Sequence, residues 1–194
     1  MKKVVLISGA STGFGRSISK LLSSNDFIVY GTSRNPKKYS DFEGISLLKH
    51  DLTSFKGSKN LVEKILSIEG KIDILINNAG SGFVGPIEEI SIEDAKKLFD
   101  INYFGHIDLI QAVLPSMRKN KNGLVINITS IAGYNNIPFG SIYCASKYSM
   151  ECLGASLNME LKSFGIRVVN IAPGDYRTEI FNKRIKSELN TNSP

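Results

Sequence analysis

The chain has no continuous apolar run of about 18 residues, the length that a helix needs to cross a bilayer. Its amino terminus is apolar only over a few residues from Val4 and lacks the small-residue cleavage site of a signal peptide. We therefore interpret this short run as a strand, and we expect a cytoplasmic protein with no membrane partner.

Cysteine is scarce, because Cys144 and Cys152 are the only two in the sequence. Eight residues apart on one helix, they would lie about 12 Å from each other, which is beyond the reach of a disulfide. They are predicted to be free thiols, as in a reducing compartment.

The sequence also lacks a basic stripe interleaved with aromatic residues, although its formal net charge is +6. Lysine and arginine form only small groups, at residues 37–38, 119–121 and 183–186. A mildly basic surface around an anionic cofactor explains this charge, so we expect no nucleic-acid partner.

No repeat, low-complexity segment or internal linker divides the 194 residues, of which 42% are hydrophobic and 22% charged. This composition suits one sizeable core, so residues 1–194 are predicted to form a single domain. Apolar runs alternate with helical patterns, which predicts an α/β fold with a parallel sheet between two helical layers. The runs are Val4–Ser8, Phe27–Thr32, Ile45–Lys49, Ile72–Ile76, Leu124–Thr129 and Ile166–Ala172.

Apolar residues at helical spacing predict the helices between these strands. Ser91 to Asp94 fits a capping signature, and the helix that begins there should be interrupted at Pro115. Another long helical pattern extends from about Tyr143 to Phe164.

A glycine-rich turn follows the first strand, with Gly9, Gly13 and Gly15 in the spacing G-x-x-x-G-x-G. Glycines allow a tight turn and a close approach of phosphate to main-chain N–H groups at the start of a helix. The spacing differs from the dinucleotide fingerprint G-x-G-x-x-G, and a turn that binds nothing explains this motif alone equally well.

The other predicted strands also end in residues that packing does not require. In an open parallel sheet, ligands bind at the carboxyl ends of the strands, so six such ends favour a site at this edge. Each has a structural alternative: Asp51 as a helix cap, the Asn77 turn as a simple turn, and Arg34 as a solvated residue. These strand ends carry Arg34, Asp51, Asn77 to Gly80, Ser130, and Pro173 with Gly174.

Tyr143 and Lys147 lie four residues apart near the start of a predicted helix, and hence on one face. A positive charge about 4 Å from a phenol contributes up to roughly 4 kcal/mol at an effective dielectric constant near 20, enough to lower its pKa by as much as ~3 units. Such a tyrosine can exchange a proton with an alcohol or carbonyl oxygen. By itself the pair is also compatible with an exposed helical surface.

Together these residues resemble the classical short-chain dehydrogenases/reductases from Val4 to about Thr178. The resemblance implies a Rossmann-type doubly wound parallel sheet with strand order 3-2-1-4-5-6, and it favours function over the structural alternatives. The matching residues are Gly9, Gly13, Gly15, Asp51, Asn77, Asn78, Ala79, Gly80, Asn102, Ser130, Tyr143, Lys147, Pro173 and Gly174.

The resemblance implies four catalytic residues. Tyr143 is the general acid/base, and Lys147 lowers its pKa and holds the ribose hydroxyls of the nicotinamide half. Ser130 donates to the reacting oxygen. Asn102 kinks its helix and holds a water in a proton relay to Lys147.

The resemblance also implies a nicotinamide cofactor and no metal. Members that prefer NAD(H) have an acidic residue at the end of the second strand, where this chain has Ser33 and Arg34. A guanidinium suits a 2′-phosphate, so we predict NADP(H) over NAD(H). The expected cofactor-binding residues are Gly9, Ser11, Thr12, Gly13, Phe14, Gly15, Ser33, Arg34, Asp51, Leu52, Asn78, Ala79, Gly80, Tyr143, Lys147, Pro173, Gly174 and Thr178.

The chain departs from the family pattern at its carboxyl end. Tyr176 stands where a small apolar residue is common, and only sixteen residues follow Thr178. The family usually continues to a seventh strand, which we expect to be missing here, and a homo-oligomer is expected if the full-length fold is present.

Two functions stay open: an NADP(H)-dependent alcohol dehydrogenase or carbonyl reductase, and a catalytically poor NADP(H)-binding sensor or partner subunit. The complete set of Asn102, Ser130, Tyr143 and Lys147 favours the enzyme. For the enzyme, we expect a small-molecule carbonyl or alcohol substrate whose identity the sequence does not indicate, and residues 137–139 are either an apolar wall of its pocket or core packing.

Overall fold

A parallel sheet forms the centre of the molecule. The computed structural model describes residues 2–40, 42–55 and 57–174, together with the backbone of residues 185–186. The strands are β1 (Val4–Ile7), β2 (Ile28–Ser33), β3 (Ile45–Lys49), β4 (Ile74–Asn77), β5 (Phe83–Val84), β6 (Gly123–Ile128), β7 (Ile166–Ile171) and β8 (Ile185–Lys186).

Six strands form the main sheet in the order β3-β2-β1-β4-β6-β7, and all of their pairings are parallel. This confirms the predicted order, because β5 lies outside the main sheet and pairs with β8. Two-residue strands carry no periodicity, which is why the sequence did not indicate β5 and β8.

Helices cover both faces of the sheet, but unequally. Residues of α2, α4 and α5 share one apolar core with the sheet, whereas α1 packs on the opposite face over β1, β2 and β3. Within the described part of the chain, no helix has the length and apolarity to traverse a bilayer. The helices are α1 (Gly13–Ser23), α2 (Gly57–Glu69), α3 (Ile92–Phe99), α4 (Gly105–Asn120) and α5 (Ser141–Leu161).

The helix that begins after Ser91 is divided by a π-helical turn, Asp100–Phe104, rather than interrupted at Pro115. The prediction for Pro115 was wrong, since α4 continues through this residue to Asn120. Proline removes one helical hydrogen bond. Leu109, Val113 and Met117 are fully buried along α4, so the packing of this face outweighs that loss.

The Ser91 cap itself is present, because its hydroxyl accepts a hydrogen bond from the main-chain N–H of Asp94. Cys144 and Cys152 both lie on α5 as free thiols, as predicted. The helical pattern that we extended to Phe164 ends as α-helix at Leu161 and continues as a 3-10 turn, Lys162–Phe164.

The close packing of α5 on β7 generates a first prediction. A Cβ on Gly154 would lie 2.0 Å from Oδ1 of Asn170, so Gly154→Ala must displace a half-buried, hydrogen-bonded amide. We expect this variant to lower the free energy of unfolding by about 1–3 kcal/mol in urea denaturation. Gly57→Ala is the matched control, because its nearest contact is an ordinary 3.5 Å. Equal stability of the two variants would contradict the close contact between Gly154 and Asn170.

Candidate active site

The glycine-rich turn after β1 closes tightly on itself. Gly9 and Gly13 have φ angles of +66° and +55°, which favour glycine. A Cβ on Gly15 would lie 2.3 Å from the carbonyl oxygen of Gly9, so this position has no room for a side chain. Thr12, at the N-cap of α1, makes no side-chain cap bond, and the first turn has no acidic residue. The positive end of α1 is therefore not neutralised by a carboxylate of its own first turn.

The loop after β4 is fastened to this turn. The Ser8 hydroxyl accepts hydrogen bonds from the main-chain N–H groups of Asn78 and Ala79, at 2.9 and 3.0 Å. The Asn78 amide donates to the carbonyls of Ser8 and Gly9, at 2.9 and 3.1 Å. The two predicted motifs thus form one rigid cradle at the centre of the sheet edge.

An open cleft of about 1050 Å³ lies over this cradle. It is lined by twelve of the predicted cofactor residues: Gly9, Ser11, Thr12, Gly13, Phe14, Ser33, Arg34, Asp51, Leu52, Asn78, Ala79 and Gly80. It is also lined by residues that we did not predict: Thr32, Asn35, Lys38, Tyr39, His50, Thr53, Ser81, Lys97 and Ile101. Most of these neighbour a predicted residue in sequence, whereas Lys97 and Ile101 come from the distant α3 and π segment, which only the tertiary fold reveals.

Asp51 is not a helix cap. Its Oδ1 accepts hydrogen bonds from the main-chain N–H and the hydroxyl of Thr53, at 3.0 and 2.9 Å, and α2 begins only at Gly57. Partial burial raises the pKa of this carboxyl, but the two Thr53 bonds and the charge of Arg34 outweigh burial and lower it. Asp51 therefore presents an ionised carboxylate beside Arg34 in the cleft.

Lys147 is a buried cation on α5, with only 4% of its surface exposed. Its Nζ donates to the carbonyl of Ile128 at 3.2 Å and lies 5.9 Å from the centre of the Tyr143 ring. A Cβ on Gly80 would lie 3.8 Å from this Nζ. The fold therefore brings Lys147 close to Tyr143 and to Gly80 at one end of the cleft, although neither Tyr143 nor Lys147 lines the cleft itself.

Burial lowers the pKa of Lys147 to about 8, and the Glu151 charge opposes this shift. Near neutral pH the side chain is mainly an ammonium ion held in a medium of low dielectric. A charge in such a medium acts strongly on a neighbouring phenol.

Asn102 lies in the π-helical turn and is fully buried. Its Oδ1 accepts from the Ser81 N–H at 2.9 Å, and its amide donates to the Ser81 carbonyl and to the Ser146 hydroxyl, at 3.0 and 3.1 Å. Ser146 in turn donates to the main-chain oxygen of Tyr143 at 2.7 Å. Asn102 thus joins the loop after β4 to the first turns of α5.

Ser130 and Pro173 lie at the neighbouring ends of β6 and β7. The Ser130 hydroxyl accepts from the Ala132 N–H at 3.1 Å, and its own proton can still be donated. The Ile131 N–H donates to the Pro173 carbonyl at 3.0 Å, which ties the two strand ends together. Thr178 and Tyr176 lie outside the described residues. Within those residues, no cluster of His, Cys, Asp or Glu side chains could hold a metal.

The family follows from comparison with known proteins. A family profile described as short chain dehydrogenase matches residues 3–189. The chain belongs to the short-chain dehydrogenase family. This short-chain dehydrogenase is 40% identical over 187 residues to the 3-ketodihydrosphingosine reductase of Bacteroides thetaiotaomicron, and the match covers 96% of this chain and 69% of that protein.

Solved structures agree with the fold and with the class of chemistry. A short-chain dehydrogenase from Streptomyces avermitilis has a TM-score of 0.90 and 34% identity, over 98% of this chain and 73% of that one. ElxO with NADP bound has a TM-score of 0.86 and 31% identity, over 94% and 77%. A 3-ketoacyl-(acyl-carrier-protein) reductase from Brucella melitensis, complexed with NADH, has a TM-score of 0.87 and 25% identity, over 94% and 80%. The chain is an oxidoreductase of the NAD(P)-dependent kind, and these likenesses leave the choice between the two cofactors open.

His106 is a buried group near Lys147 that we did not predict. It is 1% exposed, and no side chain among the described residues forms a hydrogen bond with either ring nitrogen. Burial lowers its pKa to about 3, the Lys147 charge adds to this shift, and main-chain groups of Asn102 and Ala79 oppose it. The imidazole is therefore neutral at all but strongly acidic pH.

This histidine should make the fold sensitive to acid. The unfolded chain takes up its proton near pH 6.5 and the folded chain only near pH 3, so stability is lost as the pH falls through this window. His106 makes the free energy of unfolding fall by up to about 1.4 kcal/mol for each pH unit in this window. In His106→Leu, denaturation curves between pH 6 and 4.5 should show a smaller dependence of this free energy on pH. His50→Leu is the control: the nearby Asp108 and Asp51 charges oppose the shift of His50, so this variant should keep more of the pH dependence. If the pH dependence of stability is unchanged in His106→Leu, His106 is not the group that causes it.

Proposed function

We propose that this short-chain dehydrogenase interconverts an alcohol and a ketone or aldehyde with NADP(H), and that Tyr143 is its general acid/base. The observation that carries this proposal is the Lys147 ammonium, buried 5.9 Å from the centre of the Tyr143 ring and close to Gly80 at one end of the cleft. A protein that only binds a dinucleotide could use this cation to hold a ribose, but it has no need for a phenol beside the cation.

The residues of the cleft fit a dinucleotide. Gly9 and Gly15 leave no side chain between the turn and a phosphate, and the uncapped start of α1 supplies main-chain donors and a positive dipole. Asn78 to Gly80 continue this surface toward Lys147. When bound there, the nicotinamide supplies or accepts the hydride.

The chain's own residues handle the proton. In reduction, Tyr143 donates its phenolic proton to the substrate oxygen, and the Lys147 ammonium stabilises the phenolate that is left. Ser130 donates a hydrogen bond to the same oxygen as its negative charge develops. Asn102 holds the loop after β4 against α5 and so fixes this geometry. The proposal also includes the water between Asn102 and Lys147 that the family resemblance implies.

Tyr143→Phe tests the mechanism. Loss of the proton donor should reduce kcat for ketone reduction by about 10²–10⁴-fold, with the Kd for NADPH within a few-fold of the wild type. Tyr148→Phe is the control, because Tyr148 lies on the same helix and is 40% exposed. NADPH oxidation is measured with a panel of short-chain and long-chain ketones and aldehydes. If the wild type binds NADPH but turns over no faster than Tyr143→Phe, the chain is instead a sensor or partner subunit.

The preference for NADP(H) rests on the end of β2. No carboxylate follows this strand before Asp41, whereas Arg34 and Lys38 both line the cleft there. A guanidinium makes charge-assisted bonds with a phosphate group, and NAD(H) has none at this position.

Arg34→Ala should therefore raise the Kd for NADPH by about 10–100-fold and change the Kd for NADH little. Arg167→Ala is the control, because Arg167 is exposed at the opposite edge of the sheet and should leave both values unchanged. Isothermal titration calorimetry with both cofactors measures the difference. A wild-type chain that binds NADH more tightly than NADPH would refute the preference.

We also propose that the substrate is apolar around its carbonyl carbon. Ile131, Ile137 and Phe139 are 40%, 46% and 63% exposed on the segment between Ser130 and Tyr143. They are not buried in the core, which favours the pocket-wall interpretation of residues 137–139. Phe139 has a φ of +58°, a strained conformation for a bulky residue and one that is often associated with function. The long-chain ketones of the panel test this proposal.

A homo-oligomer and a cytoplasmic location stay predictions.

A further inference from the structure

Glu151 is a buried carboxylate that the proposed mechanism does not yet use. It is 9% exposed and follows Lys147 by one helical turn, so Tyr143, Lys147 and Glu151 form one row along α5 at four-residue spacing. An ionisable group is seldom buried unless its charge is paired.

Two donors hold this carboxylate in place. Oε2 of Glu151 accepts from the Tyr134 hydroxyl at 2.6 Å and from the Asn170 amide at 2.7 Å. Both bonds favour the ionised carboxylate. In accordance with this contact, the hydrogen bond to Glu151, followed by burial, raises the pKa of Tyr134.

A directed chain of amides extends from this carboxylate across three strands. Asn77 donates to Asn127 at 2.9 Å, Asn127 donates to Asn170 at 2.9 Å, and Asn170 donates to Glu151. The three asparagines are register partners on β4, β6 and β7. Every amide directs its N–H toward Glu151, so the dipoles add in stabilising a negative charge there.

The surroundings of Lys147 identify what Glu151 can act on. On α5 the titratable neighbours are Tyr143 and Glu151, α4 contributes the neutral His106, and β6 contributes the carbonyl of Ile128. Of these groups, Glu151 carries the negative charge that opposes the loss of the Lys147 proton.

We propose that Glu151 is a positioning residue, whose carboxylate, clamped by Tyr134 and Asn170, is the buried counter-charge that keeps Lys147 an ammonium ion beside Tyr143. This inference rests on the proposed function for its catalytic meaning. Its physical content, the coupling of two buried charges, can be measured without any substrate.

Glu151→Gln removes the charge and keeps the shape. The amide oxygen of glutamine can accept both bonds that Oε2 accepts, and its NH₂ group can take the place of Oε1, which is buried and accepts no bond from the described residues. In ¹³C-lysine-labelled protein, the Lys147 signal is assigned by its absence in Lys147→Met. The pKa of Lys147, about 8 in the wild type, should fall by about one unit in Glu151→Gln. Glu160→Gln, an exposed site on the same helix, should leave it unchanged.

A second variant gives a measurement that does not depend on Glu151→Gln folding. Glu151→Asp keeps the negative charge on a shorter side chain, so the pKa of Lys147 should remain near its wild-type value of about 8. Circular dichroism confirms that each variant is folded. A Lys147 pKa that is unchanged in a folded Glu151→Gln, or that falls by about one unit in a folded Glu151→Asp, would overturn the proposal.

Kinetics then test the link to catalysis. In the reduction assay, Glu151→Gln should lower kcat, leave the KM for NADPH near the wild-type value, and move the alkaline limb of the kcat profile to lower pH. Glu160→Gln should show none of these changes, and a profile that moves in neither variant contradicts a positioning role. If the wild type reduces no ketone, the proposed function fails, whereas the two titrations still decide whether Glu151 is the counter-charge.

Discussion

Burial of the Lys147 ammonium is the constraint on which the site depends. A cation removed from water costs several kcal/mol unless nearby groups compensate it. Here the Ile128 carbonyl accepts one of its protons, and the Glu151 charge favours its charged form. Burial is also what makes this cation effective, because the low dielectric strengthens its action on the phenol of Tyr143. The feature that destabilises the fold locally is therefore the one on which the proposed proton transfer depends.

Contacts between the glycine-rich turn, the loop after β4 and α5 hold the surroundings of Lys147 in place. Gly9 packs against Ala79 at a distance that excludes a Cβ, and Ser8 binds the two N–H groups of the loop after β4. Asn102 holds the same loop to α5 through Ser81 and Ser146, in a π-helical turn that aims its side chain inward. These bonds join elements that are far apart in sequence. The cleft is consequently a preformed surface, as catalysis by orientation requires.

The sequence predicts the strand order and most of the cleft, because parallel strands bring their carboxyl ends to one edge and the motif residues lie at those ends. It does not predict features that depend on packing at a distance. Pro115 is read as a break because local propensity cannot include the buried face of α4. Lys97 reaches the cleft from α3, and Glu151 and Tyr134 meet 17 residues apart, with no local pattern to indicate either contact. The role of a buried polar residue becomes visible only with its partners.

The end of β4 connects the two halves of the site. Successive side chains of a strand point to opposite faces, and Asn77 and Asn78 at the end of β4 make contacts on different sides. Asn78 fastens the glycine-rich turn through Ser8 and Gly9, whereas Asn77 begins the amide chain that leads to Glu151. A shift of this strand end would loosen the cradle and would also disturb the amide chain that holds the Glu151 carboxylate. The same two residues therefore make the proposed cofactor cradle and the proposed counter-charge depend on one piece of backbone, which a reading of this motif as a simple turn would miss.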